Sequence, residues 1–169
     1  MDGRYKSHRH TCLLFLLVWL LPGAAGATAL DGCFEAAAAR YDLSPKLLRA
    51  IARAESAMDH AAQAVNRDGS RDIGLMQVNS WWLPRLSGYG ITEASLWDPC
   101  TNIQVGAWIL AGNVARYGYT WEAVGAYNAG TGTSETTQNR RVNYARRIYE
   151  HLDCDAGGLR CGAGDPSPR

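Results

Sequence analysis

Glu55 is the residue whose type and position fit each other least. Ser44-Pro45 reads as an N-cap followed by proline at the first helical position, so a helix is predicted from Pro45 to about Met58. On a helical wheel of about 100° per residue with Leu47 at zero, Ile51, Ala54 and Met58 fall within about 40° of it. Lys46, Arg49 and Arg53 gather on the opposite side, between about 200° and 260°. Glu55 lands near 80°, inside the apolar stripe, and Asp59 near 120°, at its edge, both values being about as precise as the wheel. Glu is rarely buried without a reason. Burial disfavours its charged form and raises its pKa, so a carboxyl in an apolar cleft wall can stay protonated near neutral pH and give up that proton. Glycosidic cleavage asks this of its general acid. The competing reading is a buried Glu satisfied by an arginine or by backbone donors. Arg141, which also lies among the apolar positions of its helix, is then the candidate partner.

The elements that must position Glu55 are mostly helical. Residues 31–43 are predicted to begin the fold as a helix, followed by the helix carrying Glu55. Residues 59–100 are less regular. Asn66-Arg67-Asp68-Gly69 marks a turn there, and Leu83-Pro84 and Asp98-Pro99 mark breaks. A third helix is predicted from near Thr101 to Tyr117, with Gly118 just past its end, and a fourth from Thr120 to near Gly130. Residues 131–138 read as a Thr/Gly/Ser-rich loop and 139–152 as a fifth helix. No internal repeat and no alternating strand is evident. The fold class expected is mainly α: a single helical domain with an irregular segment between the second and third helices.

Composition excludes several functions. The chain has 169 residues, a formal charge of +1 and 47% hydrophobic residues, which suits one ordinary globular domain. Only four His are present, two of them within the first ten residues, so a His-rich metal site is not expected. No HExxH, GxxxxGK[ST] or GxSxG occurs. Arg140, Arg141, Arg146 and Arg147 scatter around their helix, which reads as a solvated basic face and not a nucleic-acid patch.

The N-terminus carries an export signal by pattern. Arg4, Lys6 and Arg9 precede an unbroken apolar run from Cys12 to Leu21, and Ala25-Gly26-Ala27 offers a small-x-small cleavage site. The run is too short to span a membrane, which needs about 20 apolar residues, so no stable anchor is expected. Residues 1–27 are read as a signal peptide, 31–152 as the domain and 153–169 as a Gly/Pro-rich tail. Removing the signal moves the formal charge from +1 to −1. Cys33, Cys100, Cys154 and Cys161 then remain, an even number in an exported chain, with three possible pairings. Cys33–Cys100 with Cys154–Cys161 is the pairing chosen. A catalytic cysteine would need His60 or His151 as its partner, and structural disulfides are the expected use.

A set of motifs extends the reading of Glu55. Pro45-x-Leu47-Leu48-x-Ala50-Ile51-Ala52-x-x-Glu55-Ser56 is followed by Gly74-Leu75-Met76-Gln77, Ala126-Tyr127-Asn128-Ala129-Gly130 and Tyr144. In this order and spacing they resemble the soluble lytic transglycosylases of the goose-lysozyme-like superfamily. In particular they resemble the small exported enzymes that accompany type III and type IV secretion and conjugation systems. The resemblance covers about residues 31–152 and implies a lysozyme-like α-helical fold with no cofactor. It makes Glu55 the sole catalytic acid. Ser56, Met76, Gln77, Tyr127, Asn128 and Tyr144 become contacts to the glycan or to the acid. One departure is Asp59, where the family carries a neutral residue; at i+4 from Glu55 it would raise the pKa of Glu55 further.

The implied reaction starts with Glu55 protonating the oxygen between N-acetylmuramic acid and N-acetylglucosamine. The acetamido group helps the developing oxocarbenium, as in substrate-assisted glycosidases. Glu55 then accepts the proton of the muramyl C6 hydroxyl as it closes on C1, giving a 1,6-anhydro end in the periplasm. The implied partners are peptidoglycan and a secretion or conjugation component. Two alternatives remain at this point: a hydrolytic lysozyme on the same scaffold, with Asp59 or Asp72 positioning water, and a non-catalytic wall-binding module. One of Trp81 and Trp82 is expected to line the cleft, and Trp108 and Trp121 to lie in the core.

Overall fold

The computed structural model describes the backbone of residues 24–157 and the side chains of 29–152. The expected signal segment up to residue 23 and the expected Cys154–Cys161 pair lie outside the described residues. Helix α1 spans Ala24–Tyr41, starting earlier than its sequence signals indicated because alanine-rich chain continues upstream. It ends where Asp42 turns left-handed (φ 52°) and the Leu43 N–H reaches back to the Ala38 carbonyl. Helix α2 spans Pro45–Ser56, with the Ser44 hydroxyl accepting from the Leu47 N–H and Pro45 in the first turn, as read from the sequence. It stops two residues short of the predicted end. Ala57 and Met58 both have positive φ, and the Ala57 N–H closes on the Arg53 carbonyl.

The irregular segment contains strands that sequence patterning did not reveal. Strands β1 (Gln63–Val65), β2 (Arg71–Ile73) and β3 (Val78–Asn79) form an antiparallel sheet in the order β1-β2-β3. Gln63 pairs with Ile73, and Asp72 with Asn79. They escaped notice because each is two or three residues long and β1 is exposed throughout, so no alternation develops. Their register is held instead by the 66–69 turn and by polar side chains described below.

Helix α3 is a single turn, Leu83–Leu86. Helix α4 spans Pro99–Tyr117. Pro99, read as a break, is the first residue of the helix, and the Asp98 carboxylate caps it by accepting from the Thr101 N–H at 2.8 Å. Helix α5 spans Trp121–Ala129 between the Thr120 cap and Gly130, and α6 spans Glu135–Gly157. The predicted loop therefore loses its last four residues to α6, because the Ser134 hydroxyl accepts from the Thr137 N–H and starts the helix early.

These elements close around one core built on Phe34, Leu48, Ile51, Ile73, Met76, Leu96, Ile103, Leu110 and Ile148. A Cys33–Cys100 disulfide ties α1 to the start of α4, with Cα atoms 5.1 Å apart. Helices α5 and α6 touch backbone to backbone at Gly125, where a Cβ would lie 2.5 Å from the Arg141 carbonyl oxygen. That close approach sets Tyr127 and Tyr144 side by side.

Candidate active site

Glu55 sits in the last turn of α2, facing α6, with its side chain 12% exposed. Its Oε1 accepts a hydrogen bond from the Tyr144 hydroxyl at 2.5 Å. An Arg147 guanidinium nitrogen lies 3.9 Å from the same oxygen, and that guanidinium stands 5.0 Å over the Tyr144 ring. Tyr127 stacks on Tyr144, with centroids 6.4 Å apart and planes 20° from parallel. Arg141, the partner considered from the sequence, is elsewhere. It is buried and binds the Gly130 and Gly132 carbonyls and the Glu122 carboxylate, pinning the loop between α5 and α6.

Burial is the largest influence on Glu55 and raises its pKa. The Tyr144 hydrogen bond and the Arg147 charge pull it down, and the Asp72 carboxylate pushes it up. The two tyrosines are pushed well above the usual phenol value, first by burial and then by the Glu55 charge, so both remain hydroxyl donors. Asp59 takes no part. With α2 ended at Ser56, it is exposed beyond the turn and its carboxylate accepts from the Ala61 N–H, so the expected i, i+4 repulsion is absent. Asp72 is the carboxylate that Glu55 feels. It accepts from the side-chain amides of Asn66 (3.0 Å) and Asn79 (2.7 Å), so β1–β3 hold it in a polar ladder.

Residues 74–77 form the floor between Glu55 and the sheet. Gly74 is required by its φ of +72° and by space, since a Cβ there would meet the Asn102 side chain at 2.5 Å. Asn102 is fully buried; it donates to the Ile73 and Leu96 carbonyls and accepts from the Met76 N–H. Ser56 donates to the Leu75 carbonyl at 2.8 Å and to the Ala52 carbonyl at 3.1 Å, joining α2 to this floor. The Tyr127 hydroxyl donates to the Met76 carbonyl at 2.9 Å. Met76 differs from its expected place. Its side chain is fully buried over Gly106, and only its backbone serves the site. Gln77 has a left-handed φ of 47°, and its amide donates to the Ala62 and Gly74 carbonyls.

A cleft of about 840 Å³ opens over this floor. Glu55, Gln77, Tyr127 and Asn128 line it, as does Asp72; Ser56, Met76 and Tyr144 support it from behind. Both Trp81 and Trp82 reach it, Trp81 being 73% exposed. Trp108 is half-buried and packs edge-on against Trp82. Trp121 is 45% exposed and lies with Tyr149 over a separate hollow between α5 and α6, so its expected core position does not hold. Arg147, Asn102 and the partners of Asp72 in the ladder, Asn66 and Asn79, were not identified from the sequence, where Asp72 entered only as a candidate for positioning water. The alternating polar run Asn66, Asp68, Ser70 and Asp72 around Gly69 was the available signal for the ladder.

A half-buried Glu held by a tyrosine at the base of an aromatic-edged cleft on a helical scaffold defines a class. A family model described as the transglycosylase SLT domain matches residues 32–150, and the chain belongs to that family, that of peptidoglycan lytic transglycosylases. It is 46% identical over 137 residues to the Invasion protein IagB of Salmonella typhimurium, covering 80% of this chain and 82% of that protein. It is 39% identical over 137 residues to Protein IpgF of Shigella flexneri, covering 80% of this chain and 86% of that one. A solved structure of an inactive mutant of the lytic transglycosylase Slt from Pseudomonas aeruginosa shares the fold, with a TM-score of 0.56 at 23% identity. That match covers 78% of this chain and 24% of the larger one.

Proposed function

We propose that the protein cleaves the β-1,4 bond between N-acetylmuramic acid and N-acetylglucosamine with Glu55 alternating as acid and base, leaving 1,6-anhydromuramyl ends. The carrying observation is the Glu55 environment: burial raises its pKa and so favours the acid form, while the Tyr144 hydroxyl on Oε1 favours the carboxylate once the proton has gone. Gln77, Asn128 and the Trp81–Trp82 pair line the same cleft and are the contacts proposed for the sugars. Ser56, Tyr127 and Tyr144 are assigned to shaping the floor and holding the acid. The polymer lies outside the cytoplasm, so the proposed location is the periplasm, reached by the signal segment. No described helix is long and apolar enough to cross a membrane. Local opening of the wall for a secretion or conjugation machine is the proposed role, supported by the resemblance of the motifs and by the name of the invasion-protein relative.

Asp72 favours a second reading, a hydrolase. It lines the cleft with Glu55, and two side-chain amides hold its carboxyl in place, where it could face a cationic sugar or an attacking water. Mass spectrometry of fragments released from purified peptidoglycan separates the two. Anhydromuramyl ends made by the wild type and not by Glu55→Gln support the transglycosylase. Reducing muramyl ends, lost in Asp72→Asn, mean hydrolysis.

A further inference from the structure

Resting on the reading that Glu55 is both acid and base, we propose that Arg147 is a positioning residue of the reaction, deciding which carboxyl oxygen carries the proton and holding the carboxylate left behind. Arg147 is not among the residues lining the cleft. It reaches Glu55 from α6, one helical turn beyond Tyr144. The Tyr144 hydroxyl at 2.5 Å and the Arg147 guanidinium at 3.9 Å converge on one atom, Oε1. A proton on Oε1 would turn a positive hydrogen toward a cation and displace the phenol donor. Oε2 therefore bears the proton.

The guanidinium also stands over the Tyr144 ring, which stacks with Tyr127, and the Tyr127 hydroxyl is tied to the Met76 carbonyl. Arg147 and Tyr127 thus both pack against Tyr144 and restrict the direction of its phenol hydroxyl. When the Oε2–H bond breaks, the proton goes to the glycosidic oxygen and the C1–O bond opens. The charge left on Glu55 then faces Arg147. When the C6 oxygen bonds to C1, its proton returns to the carboxylate and the charge is discharged.

The groups that bear on Glu55 are Tyr144 and Arg147 on α6 and Asp72 on β2, and Tyr127 on α5 feels its charge. His151 adjoins Arg147 on α6. Burial first, then Arg147 and Arg53, lower its pKa against the opposing pull of Glu150. The Arg147 side chain is 48% exposed, which limits its effect through solvent screening.

The test is a carbon-13 NMR titration of the Glu55 carboxyl in wild type, Arg147→Gln and Arg147→Lys, with kcat and KM on peptidoglycan across pH. Arg147→Gln is expected to raise the Glu55 midpoint by a few tenths to about one pH unit and to move the alkaline limb of kcat with it. It is expected to lower kcat about two- to fivefold at unchanged KM, with Arg147→Lys restoring most of both effects. An unmoved midpoint overturns the proposal, whether or not the melting temperature falls. A change in KM with kcat intact also overturns it, because Arg147 would then bind substrate. If the wild type releases no fragments, the glycan-cleaving reading fails, and the titration still decides the role of Arg147.

Discussion

The Glu55 carboxyl is governed by burial and by three neighbours, Tyr144, Arg147 and Asp72, and each neighbour can be removed singly. Glu55→Gln keeps the shape and an acceptor for Tyr144 but has no proton to give. Fragment release should fall by about 10²–10⁴-fold while binding to insoluble peptidoglycan persists, measured by a pull-down beside the release assay. The same variant carries a stability prediction. Burial raises the Glu55 pKa above its ordinary value of 4.5, so the folded state binds this proton more tightly than the unfolded one. The stability it contributes is full below that value and is lost as pH rises through the raised one. Glu55→Gln should therefore melt at a higher temperature than wild type at about pH 8, and the gain should vanish toward about pH 4. Tyr144→Phe removes a donor that lowers the Glu55 pKa, so the alkaline limb of its pH–rate profile should move upward. Placing Glu55 among apolar positions was legible from the wheel. Tyr144, 89 residues away, was reached only through the resemblance of the motifs, and Arg147 was not reached at all, because Arg141 sat equally well among apolar positions of the same helix.

At the scale of elements, α2, the 74–77 floor and the sheet are bound by a few hydrogen bonds that side-chain type alone does not announce. Asn102 joins three backbone groups in a buried place, so Asn102→Ala leaves orphaned polar atoms and should cost more than about 3 kcal/mol by urea unfolding. Ser56→Ala loses one tie to the Leu75 carbonyl in a half-buried place and should cost only about 0.5–1.5 kcal/mol. A ratio near one between the two would mean that Asn102 is not the clasp the geometry describes. Helix starts were legible because caps are local: Ser44, Thr120 and their partners stand three residues apart. The strands were not legible. A three-residue strand is too short for a period, and its order comes from Asp72 gathering Asn66 and Asn79 across the sheet.

For the molecule as a whole, the Cys33–Cys100 bond spans 67 residues and encloses α2 and the entire sheet. In the chain-entropy description a loop of that length is worth about 4 kcal/mol. The Cys33→Ala/Cys100→Ala protein should lose about that much in denaturant unfolding, with the pH–rate profile of any remaining activity unchanged. The sequence left three cysteine pairings open, and the structure shows the chosen Cys33–Cys100. By itself, the sequence determined a mainly helical fold, the place of Glu55 inside the apolar stripe of α2 and the motif order that marks the transglycosylase family. Those follow from caps, amphipathic period and spacing, all local or one-dimensional signals. The tertiary structure alone decided that Met76 packs inward while its carbonyl serves Tyr127, that Arg147 rather than Arg141 attends Glu55, and that Asp72 rather than Asp59 shares the cleft. The physical reason is the same in each case. Two positive-φ residues end α2 early, and the contact at Gly125 sets the rotation of α6, so side chains that were equivalent on their own helices face different surroundings once packed.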